Sequence, residues 1–118
     1  MLPSERTDYL VRRAADFEEL WSISVGENNW VTEELEGLVL FYVWPEPEFA
    51  EAFMSATHKQ AGATPQRIDL YEFINVHIPE MSKQNISLSV FYGPDEKSWV
   101  FSPKEMKEAL EEELKQYM

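Results

Sequence analysis

The sequence predicts an α+β fold: a single domain over residues 1–118, with an antiparallel or mixed sheet of about five to six strands packed by about four helices. Three observations predict it. Segments with helical spacing of apolar residues carry cap signatures at their starts; short runs with a period of two are joined in pairs by tight turns. One continuous apolar run, Leu38–Val43, reads as a central strand covered on both faces.

Taken in order, Pro3 and Ser4 open the first helix, with Ser4 as the expected N-cap and Glu5 and Asp8 in the first turn, where the helix dipole favours negative charge. Leu10, Ala14 and Phe17 recur at helical spacing, so the helix is expected over about residues 5–16. Arg6, Arg12 and Arg13 read as its exposed face, paired with neighbouring acids. From Leu20 the period becomes two, and a turn at Gly26-Glu27-Asn28-Asn29 leads into Trp30-Val31-Thr32 as a second strand. Glu33 to Gly37 reads as a polar turn before the apolar run.

Trp44-Pro45-Glu46-Pro47 ends that run and starts a helix whose face, Phe49, Ala50, Phe53, Met54 and Thr57, extends to about His58. Gln60 to Pro65 reads as a loop, and Gln66 to Ile68 as a short strand. Asp69 caps the next helix, with Glu72 three residues on; Pro79 is expected to kink or end it near His77, leaving one turn to about Lys83. Ile86 to Tyr92 alternates as a strand, Gly93-Pro94-Asp95-Glu96 turns, and Ser98 to Phe101 returns. Ser102-Pro103-Lys104-Glu105 is a complete helix-start signature: cap, proline at the first position, glutamate at the third. The expected core is Phe17, Val39, Phe41, Phe53, Phe73, Ile74, Val90, Phe101 and Leu110.

Composition narrows the function classes. At 44% hydrophobic and 27% charged the chain is too apolar for a disordered protein. The net charge is −12, with 12 acidic and 4 basic side chains in residues 1–59 and 10 and 6 in residues 60–118, so no detachable acidic tail exists. Such a surface repels nucleic-acid phosphates and anionic lipid, and it permits a basic protein partner. Nucleic acid and membrane are therefore not expected partners; a homodimer is allowed. The absence of cysteine excludes disulfides and thiolate chemistry and fits a reducing compartment. The N-terminal stretch turns polar at once, unlike a signal peptide, and no apolar stretch approaches the ~20 residues that span a bilayer. The cytoplasm is the expected location.

No arrangement of catalytic or metal-binding residues is legible. The two histidines, His58 and His77, stand on different predicted helices, and the positions four residues on are Gly62 and Met81. Ser22, Ser24, Ser87 and Ser89 lie on strands rather than in a nucleophile elbow, and the four glycines form no phosphate-cradling cluster. Glu33-Glu34 and Glu111-Glu112-Glu113 read as solvated faces. No catalytic residue, cofactor or metal is expected. Aromatic residues remain: Trp21 and Trp99 read as core on hairpin strands, whereas Trp30 after a turn and Trp44 at a strand end are the candidate binding surface.

With the elements placed, the chain resembles the domain-of-unknown-function 2750 family, small bacterial proteins. The resemblance rests on Tyr9 in the first helix, Leu20-Trp21-Ser22-Ile23, Asn29-Trp30, Trp44-Pro45 and Glu48-Phe49-Ala50. Ile68-Asp69-Leu70-Tyr71-Glu72-Phe73 with Ile78-Pro79, and Ser102-Pro103, complete it. The chain departs where Thr57-His58 and Thr64-Pro65 replace an expected tryptophan and a tyrosine-proline. The resemblance implies an α+β fold and no reaction, so it carries over no functional residue.

The first functional expectation is a non-catalytic protein-interaction module, immunity- or antitoxin-like, whose acidic surface masks a basic partner. The alternative is a small-ligand-binding domain with an aromatic groove formed by Trp30 and Trp44. An enzyme using carboxylates or His77 is the outsider.

Overall fold

The computed structural model describes residues 1–117. Helix α1 (Pro3–Phe17) is followed by strands β1 (Glu19–Val25), β2 (Thr32–Leu35) and β3 (Leu38–Val43), then helices α2 (Pro47–Phe53) and α3 (Ala56–Gln60). Strand β4 (Ala63–Asp69) leads into α4 (Leu70–Glu72), a π turn over Phe73–His77, and α5 (Ile78–Lys83). Strands β5 (Ile86–Val90) and β6 (Trp99–Phe101), α6 (Pro103–Leu114) and a short turn at Lys115–Tyr117 complete the chain. The fold is α+β, with a mixed sheet.

A four-stranded sheet has the order β2-β3-β5-β6, and β1 pairs antiparallel with β4 in a two-stranded sheet. Strand β3 runs antiparallel to β2 and parallel to β5, because α2 to α5 intervene between β3 and β5 and return the chain to the same end. The two sheets are joined where Trp21 and Trp44 exchange backbone hydrogen bonds of 2.8 Å in each direction. As the apolar run implied, Leu40, Phe41, Tyr42 and Val43 are consecutive and all buried. The register places Leu40 and Tyr42 beside Ser87 and Ser89 on one face, and Phe41 and Val43 beside Leu88 and Val90 on the other.

Several boundaries differ from the sequence reading, each for a local reason. Helix α1 begins at Pro3, two residues earlier than read, because the Glu5 carboxylate accepts the Leu2 N–H at 2.9 Å and proline suits the first helical position. Trp30 makes only an isolated bridge to Ser24, and β2 runs through Glu33 and Glu34, which the sequence reading placed in a turn. The reversal is shorter: Glu36 and Gly37, both at positive φ (52° and 85°), form a two-residue hairpin. Helix α2 stops at Phe53 instead of running to His58; the chain is extended at Met54, and the Ser55 hydroxyl accepts the His58 N–H to start α3. Residues 63–65, read as loop, belong to β4, where Pro65 is tolerated because β4 pairs only with β1. Ahead of Pro79 the helix widens into the π turn, with the Ile78 N–H bonding to the Phe73 carbonyl, and then continues to Lys83.

Of the expected core, Phe41, Phe73, Ile74, Val90 and Leu110 are buried, and Val39, Phe53 and Phe101 are partly so. Phe17 is not core. It is 53% exposed at the end of α1, where Leu10 and Ala14 fill the inner face, and the Arg13 guanidinium lies 4.2 Å from its ring centre. Trp99, read as core, is 47% exposed on the short edge strand β6. No helix among the described residues is long and apolar enough to cross a membrane.

Candidate functional site

Beside the end of β5, the start of α1 and the inner side of α2 enclose a cavity of about 670 Å³. Its apolar wall is Phe49, Phe53, Phe91 and Tyr92; its ionisable wall is Arg6, Asp95 and Glu96. Each element is held in place by a specific contact. Glu46, at the N-cap position of α2, accepts the Tyr9 hydroxyl at 2.6 Å and pairs with the Arg13 Nε at 2.5 Å, which ties α2 to α1. Phe49 then meets Phe91 with ring centres 4.7 Å apart, and Phe53 meets Tyr92 edge-on at 5.2 Å. Behind them Phe53 packs on Tyr42 at 4.6 Å and on Trp44 at 5.1 Å.

Strand β5 ends abruptly. Phe91 takes φ 54°, the left-handed region, while its N–H still bonds to the Val43 carbonyl at 2.9 Å. A bulky residue in that region is strained. Arg6 holds the bend: its Nε donates to the Phe91 carbonyl at 3.1 Å, and its other nitrogens donate to the carbonyls of Met1 and Lys97 and to Asp95 Oδ1 at 2.8–2.9 Å. The Arg6 side chain is only 5% exposed, so the exposed position assigned to it from the sequence is wrong. Three of its four partners, Phe91, Asp95 and Lys97, come from the far end of the chain, beyond the reach of helical periodicity.

Burial comes first in pushing the Tyr92 hydroxyl above its ordinary range, and the Glu96, Glu33 and Asp95 carboxylates add to it. Tyr42 is raised to about 12, by burial and then by Glu33 and Tyr92. One oxygen of Glu33, Oε1, is buried without a hydrogen-bond partner.

The two tryptophans singled out as a binding surface do not come together. Trp44 is fully buried, so it is not a surface residue; its indole N–H donates to the Tyr92 carbonyl at 3.0 Å, behind the cavity wall. The strand end it occupies is covered by Tyr42, two residues back along the strand, and by Phe53 of α2, which no strand pattern links to it. Trp30 is partly exposed and lines a separate, smaller recess of about 230 Å³ with Gln66, Arg67 and His77. His77 meets Trp30 edge-on at 5.4 Å and stacks on Phe73 at 6.2 Å. Its imidazole is held below its usual range, chiefly by burial, with Glu72 opposing. Among the described residues, no three histidine, aspartate or glutamate side chains gather as metal ligands. Sequence reasoning missed Arg6, Phe49, Phe91 and Tyr92 as neighbours; the local signal was the strand ending into Gly93-Pro94, which read only as a turn.

Fold and cavity together define a small α+β domain with an aromatic recess at its strand ends. The chain belongs to the family described as Protein of unknown function (DUF2750), whose model matches residues 7–110. No curated protein matches the chain.

Proposed function

We propose that this domain binds a small, largely apolar ligand in the cavity between α2 and the end of β5, without catalysis. The observation that carries the reading is the cavity itself. Its volume of about 670 Å³ lies within the range of about 300–1,000 Å³ typical of ligand pockets, and Phe49, Phe53, Phe91 and Tyr92 give it aromatic surface beside a few polar groups. Strain at Phe91 supports it, since left-handed backbone at bulky residues persists where the surroundings enforce it and clusters at ligand sites. The groove differs from the one expected: Phe49, Phe53, Phe91 and Tyr92 take the places given to Trp30 and Trp44.

The test is saturation-transfer NMR with a panel of phenyl-bearing fragments. Ala52 is exposed on α2 at the cavity mouth, so Ala52→Trp fills the space without disturbing the core. Hits that bind the wild type and are lost in Ala52→Trp are the expected result. A panel that yields none, or hits that ignore Ala52→Trp, would overturn the proposal.

The reading of an acidic interaction module keeps one specific observation: Trp99 and Val100 are each about half exposed on edge strand β6, on a chain of net charge −12. A basic protein partner would fit that surface, with an association rate that falls as salt rises. The cysteine-free composition makes the cytoplasm the proposed location.

A further inference from the structure

We infer that the recess beside Trp30 is a second binding site, which takes a small neutral carboxamide on His77 and Gln66. It shares no lining residue with the aromatic cavity, so the inference stands apart from the reading above. The π turn ahead of Pro79 brings the His77 imidazole to the recess, where its side chain is only 14% exposed. Among the described residues neither ring nitrogen makes a hydrogen bond; Glu72 Oε1, 3.9 Å from Nε2, is too far to accept one. Burial keeps the ring neutral at neutral pH against the pull of Glu72. A neutral imidazole has one N–H donor and one acceptor nitrogen, and polar groups so far from bulk water need partners. Two more polar side chains line the recess without a hydrogen bond among the described residues, the Gln66 amide on β4 and the Trp30 indole.

Charge points to a neutral occupant. Arg67 and Glu27 are the one cation and the one anion of the lining, so a charged ligand of either sign meets a like charge. Arg67 is also paired already, its Nε 2.8 Å from Glu19 Oε1. A carboxamide carries no net charge and sets a C=O acceptor beside N–H donors, the partners that His77 and Gln66 lack. Volume limits its size: about 230 Å³ is the room of about eight waters, below the usual range of drug-sized pockets. Its short apolar part lies against Trp30.

Four probes of near-equal size separate these features: isobutyramide, isopropyl methyl ketone, isobutyrate and isobutylammonium. Each is titrated into the isotope-labelled full chain by NMR, with the Trp30 indole N–H and the His77 ring nitrogens as readouts. Isobutyramide is expected to shift both signals saturably. The ketone, which lacks the donors, should bind about tenfold more weakly, and both ions more weakly than the amide. His77→Phe keeps the aromatic edge against Trp30 and removes both ring nitrogens; it should weaken the amide about tenfold, read at Trp30. Gln66→Leu, half-buried on β4 and outside the helix that holds His77, should weaken it severalfold by itself. No saturable shift would mean that water alone serves His77, and would overturn the site. The ketone or an ion binding as tightly as the amide, or amide binding that ignores either substitution, would do the same. Shifts that vanish in Ala52→Trp would move the amide to the other cavity and overturn it as well.

Discussion

Arg6 on the first helix lies against Gly93 in the β5–β6 loop so closely that a Cβ on Gly93 would stand 2.7 Å from the guanidinium carbon. The guanidinium cannot step aside, because its hydrogen bonds to Phe91, Met1, Asp95 and Lys97 fix it from several directions. Gly93→Ala is therefore expected to cost about 1–3 kcal/mol, the usual range for overpacking. Urea denaturation checks it. A loss below about 0.5 kcal/mol, the size of an ordinary surface change, would mean that the loop is not clamped.

Removing the clamp itself should cost more. Arg6→Leu leaves the buried Phe91 carbonyl without its donor and takes the charged donor from the Lys97 carbonyl, which keeps only the Gly93 N–H; an unsatisfied buried group costs about 1–3 kcal/mol and a bond to a charged group adds to it. The Asp95 contribution is discounted, since that side chain is 40% exposed and screened by solvent. Denaturation should show a loss of about 2–4 kcal/mol, together with weakened binding of any cavity ligand.

Asp95 also gives the clamp a pH dependence. Burial tends to raise its carboxyl, but the Arg6 hydrogen bond, the Lys97 N–H and the Arg6 charge outweigh this and hold it below the ordinary 3.8. A carboxyl depressed in the folded state stabilises the fold above its unfolded value, and that contribution is lost as pH falls through the folded value. Wild type should accordingly exceed Asp95→Asn in melting temperature at neutral pH, with the gap closing below about pH 4. A constant gap across that window would remove Asp95 from the clamp.

His77 acts in the same direction from a different cause. Burial lowers its imidazole below 6.5, so protonation favours the unfolded chain, and stability should drop as pH falls through the unfolded value. Melting curves at pH about 7.5 and about 5.5 should show a smaller drop for His77→Gln, which stays neutral throughout. Equal drops would show that the ring is solvated.

Phe73 is fully buried at the start of the π turn. Phe73→Ala should cost about 3–5 kcal/mol, as large core deletions do. A loss under about 1 kcal/mol by chemical denaturation would place it at the surface.

What the sequence determined by itself is local. Asp69 caps α4 by accepting the Tyr71 and Glu72 N–H groups at 3.1 Å, and Ser102 and Glu105 close a reciprocal box at the start of α6. The run ending at Val43 is doubly covered from Leu40 onward, though Leu38 at its start stands 46% exposed, and the α+β class follows from such elements in order. Caps and periodicity depend on neighbours within one turn or one pleat, so they are visible in the chain. The cavity depended on tertiary structure. Arg6 reaches Phe91 across 85 residues, and Trp44 reaches Tyr92 across 48. An arginine at a helical position and a tryptophan at a strand end carry no mark of whether they face water. Here each is buried because a distant segment supplies the acceptors its N–H groups require.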